Sequence, residues 1–143
     1  ENREIPPLRY DDIYRLKAEL PHLFIEINGG IDNLTDIKKH LNHVDGVMIG
    51  RAFYHNPMLM GACHELWGEP VPTHREILQN LCLYLEKRAR QGANLATLTR
   101  HYLGLFQGLR GARKWRQELS GKGHLSVDDI RRAGESVLCQ NGL

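Results

Sequence analysis

Two glycine turns and one run of cations are the residues best suited to chemistry. Asn28-Gly29-Gly30 and Gly50-Arg51 each follow a short apolar run, Phe24–Ile27 and Val47–Ile49. Bare backbone at a turn lets N–H groups approach an anion closely, and a neighbouring guanidinium adds a planar cation. That combination suits a phosphate. The plainer alternative is that the glycines only let strands turn into helices. Two such turns at neighbouring strand ends favour a ligand, because parallel α/β folds bind outside the carboxyl ends of their strands. The third cluster is Arg100, Arg110, Arg113, Lys114, Arg116 and Lys122, set against the single acid Glu118. Tyr102, Phe106 and Trp115 lie among them. Cations neutralise phosphates and aromatic rings stack on unpaired bases, so the segment could grip RNA. It could equally be a solvated helix face above a core. Phe106 and Tyr102 favour the core.

The elements that must position these residues follow from periodicity. Leu34, Ile37 and Leu41 place apolar residues on one side of a helix between the two runs. Strand, helix and strand make a βαβ unit with parallel strands. Before it, Pro6 and Pro7 keep residues 1–9 extended. Asp11 is a candidate cap for a helix carrying Ile13, Leu16 and Leu20, stopped by Pro21. After it, Asn56-Pro57 opens a short helix, 58–67, closed by Gly68.

Glu69-Pro70-Val71-Pro72 reads as a linker, and the charge balance changes there. Residues 1–72 carry 7 Lys+Arg against 11 Asp+Glu, a net of −4; residues 73–143 carry 12 against 6, a net of +6. A basic C-terminal half suggests a polyanionic partner. Thr73 and Glu76 form a capping-box pattern that opens a long helix with Ile77, Leu81, Tyr84, Leu85 and Arg88, ended by Gly92. A second helix is expected from about 95 to 107 and a third over 112–119. A turn at Gly121-Lys122-Gly123 comes next, then a last helix opened by Ser126 and Asp129 and carrying Ile130, Ala133 and Val137. No strand pattern follows residue 73. The domains are therefore 1–68, a linker at 69–72, and an all-helical 73–143.

Other chemistries find little support. Cys63, Cys82 and Cys139 are odd in number and widely spaced, so neither a disulfide framework nor a zinc site is indicated. Each is expected to be a small buried packing residue, in a reducing compartment such as the cytoplasm. The eight histidines form no ligand pair with a carboxylate motif. No apolar run approaches the roughly 18 residues of a membrane span.

Several segments together resemble tRNA-dihydrouridine synthases of the A subfamily: residues 2–8, Asn-Arg-Glu-Ile-Pro-Pro-Leu; 28–31, Asn-Gly-Gly-Ile; 45–51, Asp-Gly-Val-Met-Ile-Gly-Arg; and 100–108, Arg-His-Tyr-Leu-Gly-Leu-Phe-Gln-Gly. Residues 111–120, Gly-Ala-Arg-Lys-Trp-Arg-Gln-Glu-Leu-Ser, resemble that family's C-terminal helical domain. The resemblance implies an α/β fold: the last two βα units of a TIM barrel, followed by an all-α tRNA-binding domain. It implies FMN as cofactor, NADPH as reductant, and tRNA as the partner whose D-loop uridines are reduced. Asn28, Gly29 and Gly30 match the family's loop after strand seven. Gly50 and Arg51 match the loop after strand eight. Both loops hold the FMN phosphate in that family. Arg3 matches a position on the tRNA-facing rim, and Arg100, Arg110, Arg113, Lys114 and Arg116 fall in the tRNA-binding domain. Six strands and the family's catalytic cysteine are expected upstream of Glu1, in an N-terminal barrel portion of the same enzyme. This stretch alone is expected to be inactive. A non-catalytic RNA-binding module, or another FMN-binding barrel oxidoreductase acting on a small pyrimidine, are the alternative readings.

Overall fold

The computed structural model describes residues 7–120 and 125–143. Arg3, Lys122, His124 and the 121–123 turn lie outside them. The chain divides into two units, Glu1–Phe53 and Tyr54–Leu143.

In the first unit, α1 (Tyr10–Glu19) is followed by β1 (Glu26–Asn28), α2 (Leu34–Leu41) and β2 (Gly46–Met48). The strands pair in parallel, with Ile27 opposite Val47 and Asn28 opposite Met48. The expected βαβ unit is present, with each strand only three residues long. Asn33 caps α2 by accepting from the Asp36 N–H (2.9 Å). Ile27, Ile31, Ile37 and Val44 form the buried apolar core of this unit. His40 is buried with them at 3% exposure and hydrogen-bonds the Tyr14 hydroxyl (2.6 Å). The cap proposed for Asp11 is not formed. Arg9 holds the N-cap position of α1 without a side-chain bond, and Asp11 sits inside the first turn. Lys17 secures the other end of α1. It donates to the Pro21 and Leu23 carbonyls (3.0 and 2.7 Å) and pairs with Asp45 (2.7 Å), which also accepts from the Ile25 N–H (2.8 Å). Each strand has one neighbour, so both outer edges are unpaired among the described residues.

Helix α3 (Arg51–His55) was not foreseen, and the division into units falls within it. Helix α4 (Pro57–Ala62) has Pro57 at its first position, as expected, then tightens into a 3-10 turn over Cys63–Trp67. Helix α4, the 3-10 turn and the last two residues of α3 belong to the helical unit, upstream of the expected 69–72 boundary. The reason is packing: Met58 lies against the helical core, and Gly61 abuts Pro72.

The rest of this unit is α5 (His74–Arg90), α6 (Leu95–Thr99), α7 (Ala112–Ser120) and α8 (Val127–Asn141). Both predicted capping boxes form, Thr73 with Glu76 and Ser126 with Asp129. Leu78, Leu81, Cys82 and Leu85 are the buried face of α5, while Tyr84 points outward at 42% exposure. Ile130, Val137 and Leu138 meet them from α8. Trp115 and Phe106 stand edge-to-face at the centre (centroids 4.9 Å apart, 89°), both fully buried. The Trp115 indole N–H donates to the Tyr102 carbonyl (3.0 Å), so its polar atom is satisfied.

The predicted helix over 95–107 is a correction. Helix α6 ends at Thr99, a 3-10 turn covers Arg100–Tyr102, and turns follow. Gly104 explains the break. A Cβ there would lie 2.0 Å from the His55 carbonyl oxygen, so the chain is pressed directly onto another backbone segment. Cys139 is a further correction. Cys63 and Cys82 are buried as expected, but Cys139 is exposed.

Candidate functional site

The parallel register brings the two glycine turns to one end of the sheet. Asn28 and Met48 are paired at the carboxyl ends of β1 and β2; Gly29-Gly30 leaves the first strand, and Gly50-Arg51 leaves the second after Ile49. Asn28, Gly30, Gly50 and Arg51 are exposed there. Gly29 and Gly30 take positive φ values of 99° and 66°, a conformation that side-chain-bearing residues rarely adopt. A Cβ at Gly50 would meet nothing within 4 Å among the described residues, so no packing among them demands a glycine there. Arg51 opens α3 and makes no ion pair with any described carboxylate. Exposed backbone plus a free guanidinium is a donor set that fits a phosphate dianion. The described residues contain no group of three or more His, Cys, Asp or Glu able to hold a metal.

Tyr10 and Leu8 complete this corner; neither is among the phosphate-site candidates in the sequence, although Leu8 closes the 2–8 motif. The Tyr10 hydroxyl donates to the Gly29 carbonyl. Leu8 packs so close that Cβ atoms on Gly29 and Gly30 would fall 2.9 and 2.7 Å from its methyls. The available signal was the position of Leu8 and Tyr10, at the junction of a proline-rich stretch and a helix start. A hollow of about 290 Å³ lies beside this corner, lined by Tyr10, Ile13, Glu26, Ile27 and Asn28 among others.

In the helical unit, charge pairing sorts the cations. Arg75 pairs with Glu135 (2.7 Å), Arg131 with Glu86 and Asp128 (both 2.6 Å), and Arg132 with Asp129 (2.6 Å). Arg100, Arg110, Arg113, Lys114 and Arg116 are exposed and pair with no described carboxylate. On α7, Ala112, Trp115 and Leu119 face inward. With about 100° per residue, Arg113 and Arg116 share one flank of the helix. Lys114 falls on the other flank and lines a groove of about 380 Å³ between α7 and α8, together with Glu118, Asp129, Arg132 and Ser136. The structure therefore separates Lys114 from the two arginines. Arg110 is fixed through its backbone: Asn141 accepts from its N–H (3.2 Å) and donates to its carbonyl (2.9 Å). The Arg100 Nε donates to His101 Nε2 (3.3 Å). The aromatics are not available for stacking in the way the sequence allowed. Trp115 and Phe106 are core, and Tyr102 packs partly against it.

Burial pushes the pKa of Tyr102 up and that of His74 down, His74 being stacked on Phe106 (centroids 5.8 Å apart). It raises the Cys63 and Cys82 thiols, so neither is an activated nucleophile.

A family model described as dihydrouridine synthase (Dus) matches residues 1–135. The chain belongs to the Dus family. Its curated relatives include proteins named tRNA-dihydrouridine(20/20a) synthase. The one from Salmonella typhimurium strain LT2 is 47% identical over 137 residues, covering 91% of this chain and 40% of the relative. That from Vibrio vulnificus strain CMCP6 is 47% identical over 127 residues, covering 87% and 39%. That from Escherichia coli strain K12 is 47% identical over 137 residues, covering 91% and 39%. The chain thus spans about 40% of the length of the Dus relatives it matches. The family resemblance drawn from the motifs is borne out. No helix among the described residues is long and apolar enough to cross a membrane.

Proposed function

We propose that the protein carrying this chain is a cytoplasmic tRNA-dihydrouridine synthase, and that this stretch is its C-terminal part. The observation that carries the reading is the meeting of two exposed glycine turns and Arg51 at the carboxyl end of paired parallel strands, in a chain of the Dus family. Asn28, Gly29, Gly30, Gly50 and Arg51 would hold the phosphate of FMN. FMN, when bound, supplies a hydride carrier that NADPH recharges and that reduces the C5–C6 bond of a D-loop uridine. The residues of this chain bind and orient; the proton donor belongs to the rest of the enzyme. The open edges of β1 and β2 support a barrel completed by further strands, with the first unit as its end and the helical unit as the tRNA-binding domain.

Arg3, Arg100, Arg110, Arg113, Lys114 and Arg116 would meet the tRNA backbone. Five of these six are described, and their freedom from carboxylate partners supports that role, because a cation already neutralised releases few counterions on binding. The same freedom is what a non-catalytic RNA-binding module would display, so cofactor binding is the deciding property.

The test is flavin content. Arg51→Ala in the intact enzyme is expected to copurify with far less FMN than the wild type, while Arg132→Ala, which removes an arginine already paired with Asp129, keeps it. An Arg51→Ala enzyme with undiminished flavin would remove Arg51 from the site.

A further inference from the structure

The geometry points to Tyr10 as a positioning residue that aims the Gly30 N–H at the phosphate. This inference rests on the cofactor reading above. The Tyr10 hydroxyl donates to the Gly29 carbonyl oxygen. That oxygen and the Gly30 N–H belong to one peptide unit, and in a trans peptide they point to opposite sides. The described chain has no cis peptide bond. Anchoring the carbonyl toward α1 therefore turns the Gly30 N–H away from α1. Gly30 is exposed, and its N–H meets no acceptor among the described residues.

The contact also explains why the turn needs two glycines. A Cβ on Gly30 would lie 2.7 Å from Leu8 Cδ1 and 3.2 Å from the Tyr10 hydroxyl oxygen. A side chain there would crowd the Leu8 methyl and press on the Tyr10 hydroxyl that holds the peptide. Positive φ alone asks for glycine; the close approach of Leu8 and Tyr10 asks for it again.

Tyr10 is itself braced. Its ring stands edge-on to His40 (centroids 4.5 Å apart, 66°), which is 3% exposed. His40 hydrogen-bonds Tyr14 (2.6 Å), and Tyr14 stacks on His43 (4.2 Å, 22°). Two side chains of α1 are thus locked against residues of α2 and the loop after it. A rigid hydroxyl can hold a peptide orientation that a mobile one cannot.

The experiment compares FMN with riboflavin, which lacks the phosphate, on the flavin-free intact enzyme. Tyr10→Phe removes one oxygen and keeps the ring. It is expected to weaken FMN binding roughly tenfold, the scale of one misaimed hydrogen bond to a charged group, and to leave riboflavin binding unchanged. Equal loss of both ligands would make Tyr10 merely structural and overturn the inference. Wild-type affinity for both would overturn it as well. Arg51→Ala is measured in parallel. If it too fails to distinguish FMN from riboflavin, the phosphate site itself is misassigned. If Arg51→Ala discriminates and Tyr10→Phe does not, only the role of Tyr10 falls.

Discussion

Gly104→Ala should be among the costliest small substitutions in the helical unit. The added Cβ would sit 2.0 Å from the His55 carbonyl oxygen, 2.7 Å from its carbon and 3.3 Å from Pro57 Cδ. Ordinary contact begins at 3.4 Å, so the two segments must part by about 1.4 Å. The obstacle is backbone, not a side chain that can swing aside. His55 ends α3 and Pro57 starts α4, and Met58 beside them packs on the core. Parting the segments therefore loosens that packing too. The expected cost is about 3 kcal/mol, the upper end for overpacking. Gly108→Ala is the control. Its Cβ would meet nothing within 4 Å among the described residues, which leaves the strain of φ 83°. That strain is worth about 1 kcal/mol. Urea unfolding followed by Trp115 fluorescence reports the unit directly, since Trp115 is fully buried while Trp67 is 71% exposed. Equal costs for the two variants, or a neutral Gly104→Ala, would refute the reasoning.

Four other outcomes follow from the same structure. In tRNA binding across a salt series, each of Arg113→Ala and Arg116→Ala should lower the slope of log K against log salt by about 1, and Lys114→Ala, beside Glu118 in the groove, should lower it less. Asp45 is held below the ordinary carboxylate range, first by its bond to Lys17 and then by the Ile25 N–H. Its contribution is present above the unfolded pKa and lost as pH falls through the folded one, so acid unfolding of the wild type should be steeper than that of Asp45→Asn. Burial holds His74 below its ordinary 6.5, so the unfolded state takes up the proton first and stability should drop as pH falls below about that value. His74→Phe should flatten that drop in Trp115-monitored unfolding. Finally, an aromatic disulfide reagent should modify Cys139 quickly in the native protein, and Cys63 and Cys82 only on unfolding.

The parts legible in the sequence were those set by local chemistry. Thr73 with Glu76 and Ser126 with Asp129 announce their helices because a cap is a contact between residues three apart. The βαβ unit was legible because parallel strands need a crossover, and Gly29-Gly30 and Gly50-Arg51 were legible as turns at its strand ends. What failed depended on distant residues. Nothing around Gly104 tells that His55 lies against it, so the α6 periodicity ran on too far. Cys139 follows Leu138 directly, and a step of about 100° carries it from the buried face to solvent. The cations could not be sorted from composition. Glu86 and Glu135, far away in sequence, neutralise Arg131 and Arg75, while Arg113 and Arg116 have no acid partner among the described residues. Trp115 read as a candidate base platform until packing placed it in the core.

The reaction proposed for the protein that carries this chain is uridine reduction in tRNA. The most direct measurement is the dihydrouridine content of D-loop positions in tRNA from cells lacking the gene, compared with cells complemented by the wild type or by Arg51→Ala. Dihydrouridine at one or more D-loop positions is expected to disappear with the gene, to return with the wild type, and not to return with Arg51→Ala. Unchanged dihydrouridine at every D-loop position after deletion would contradict it.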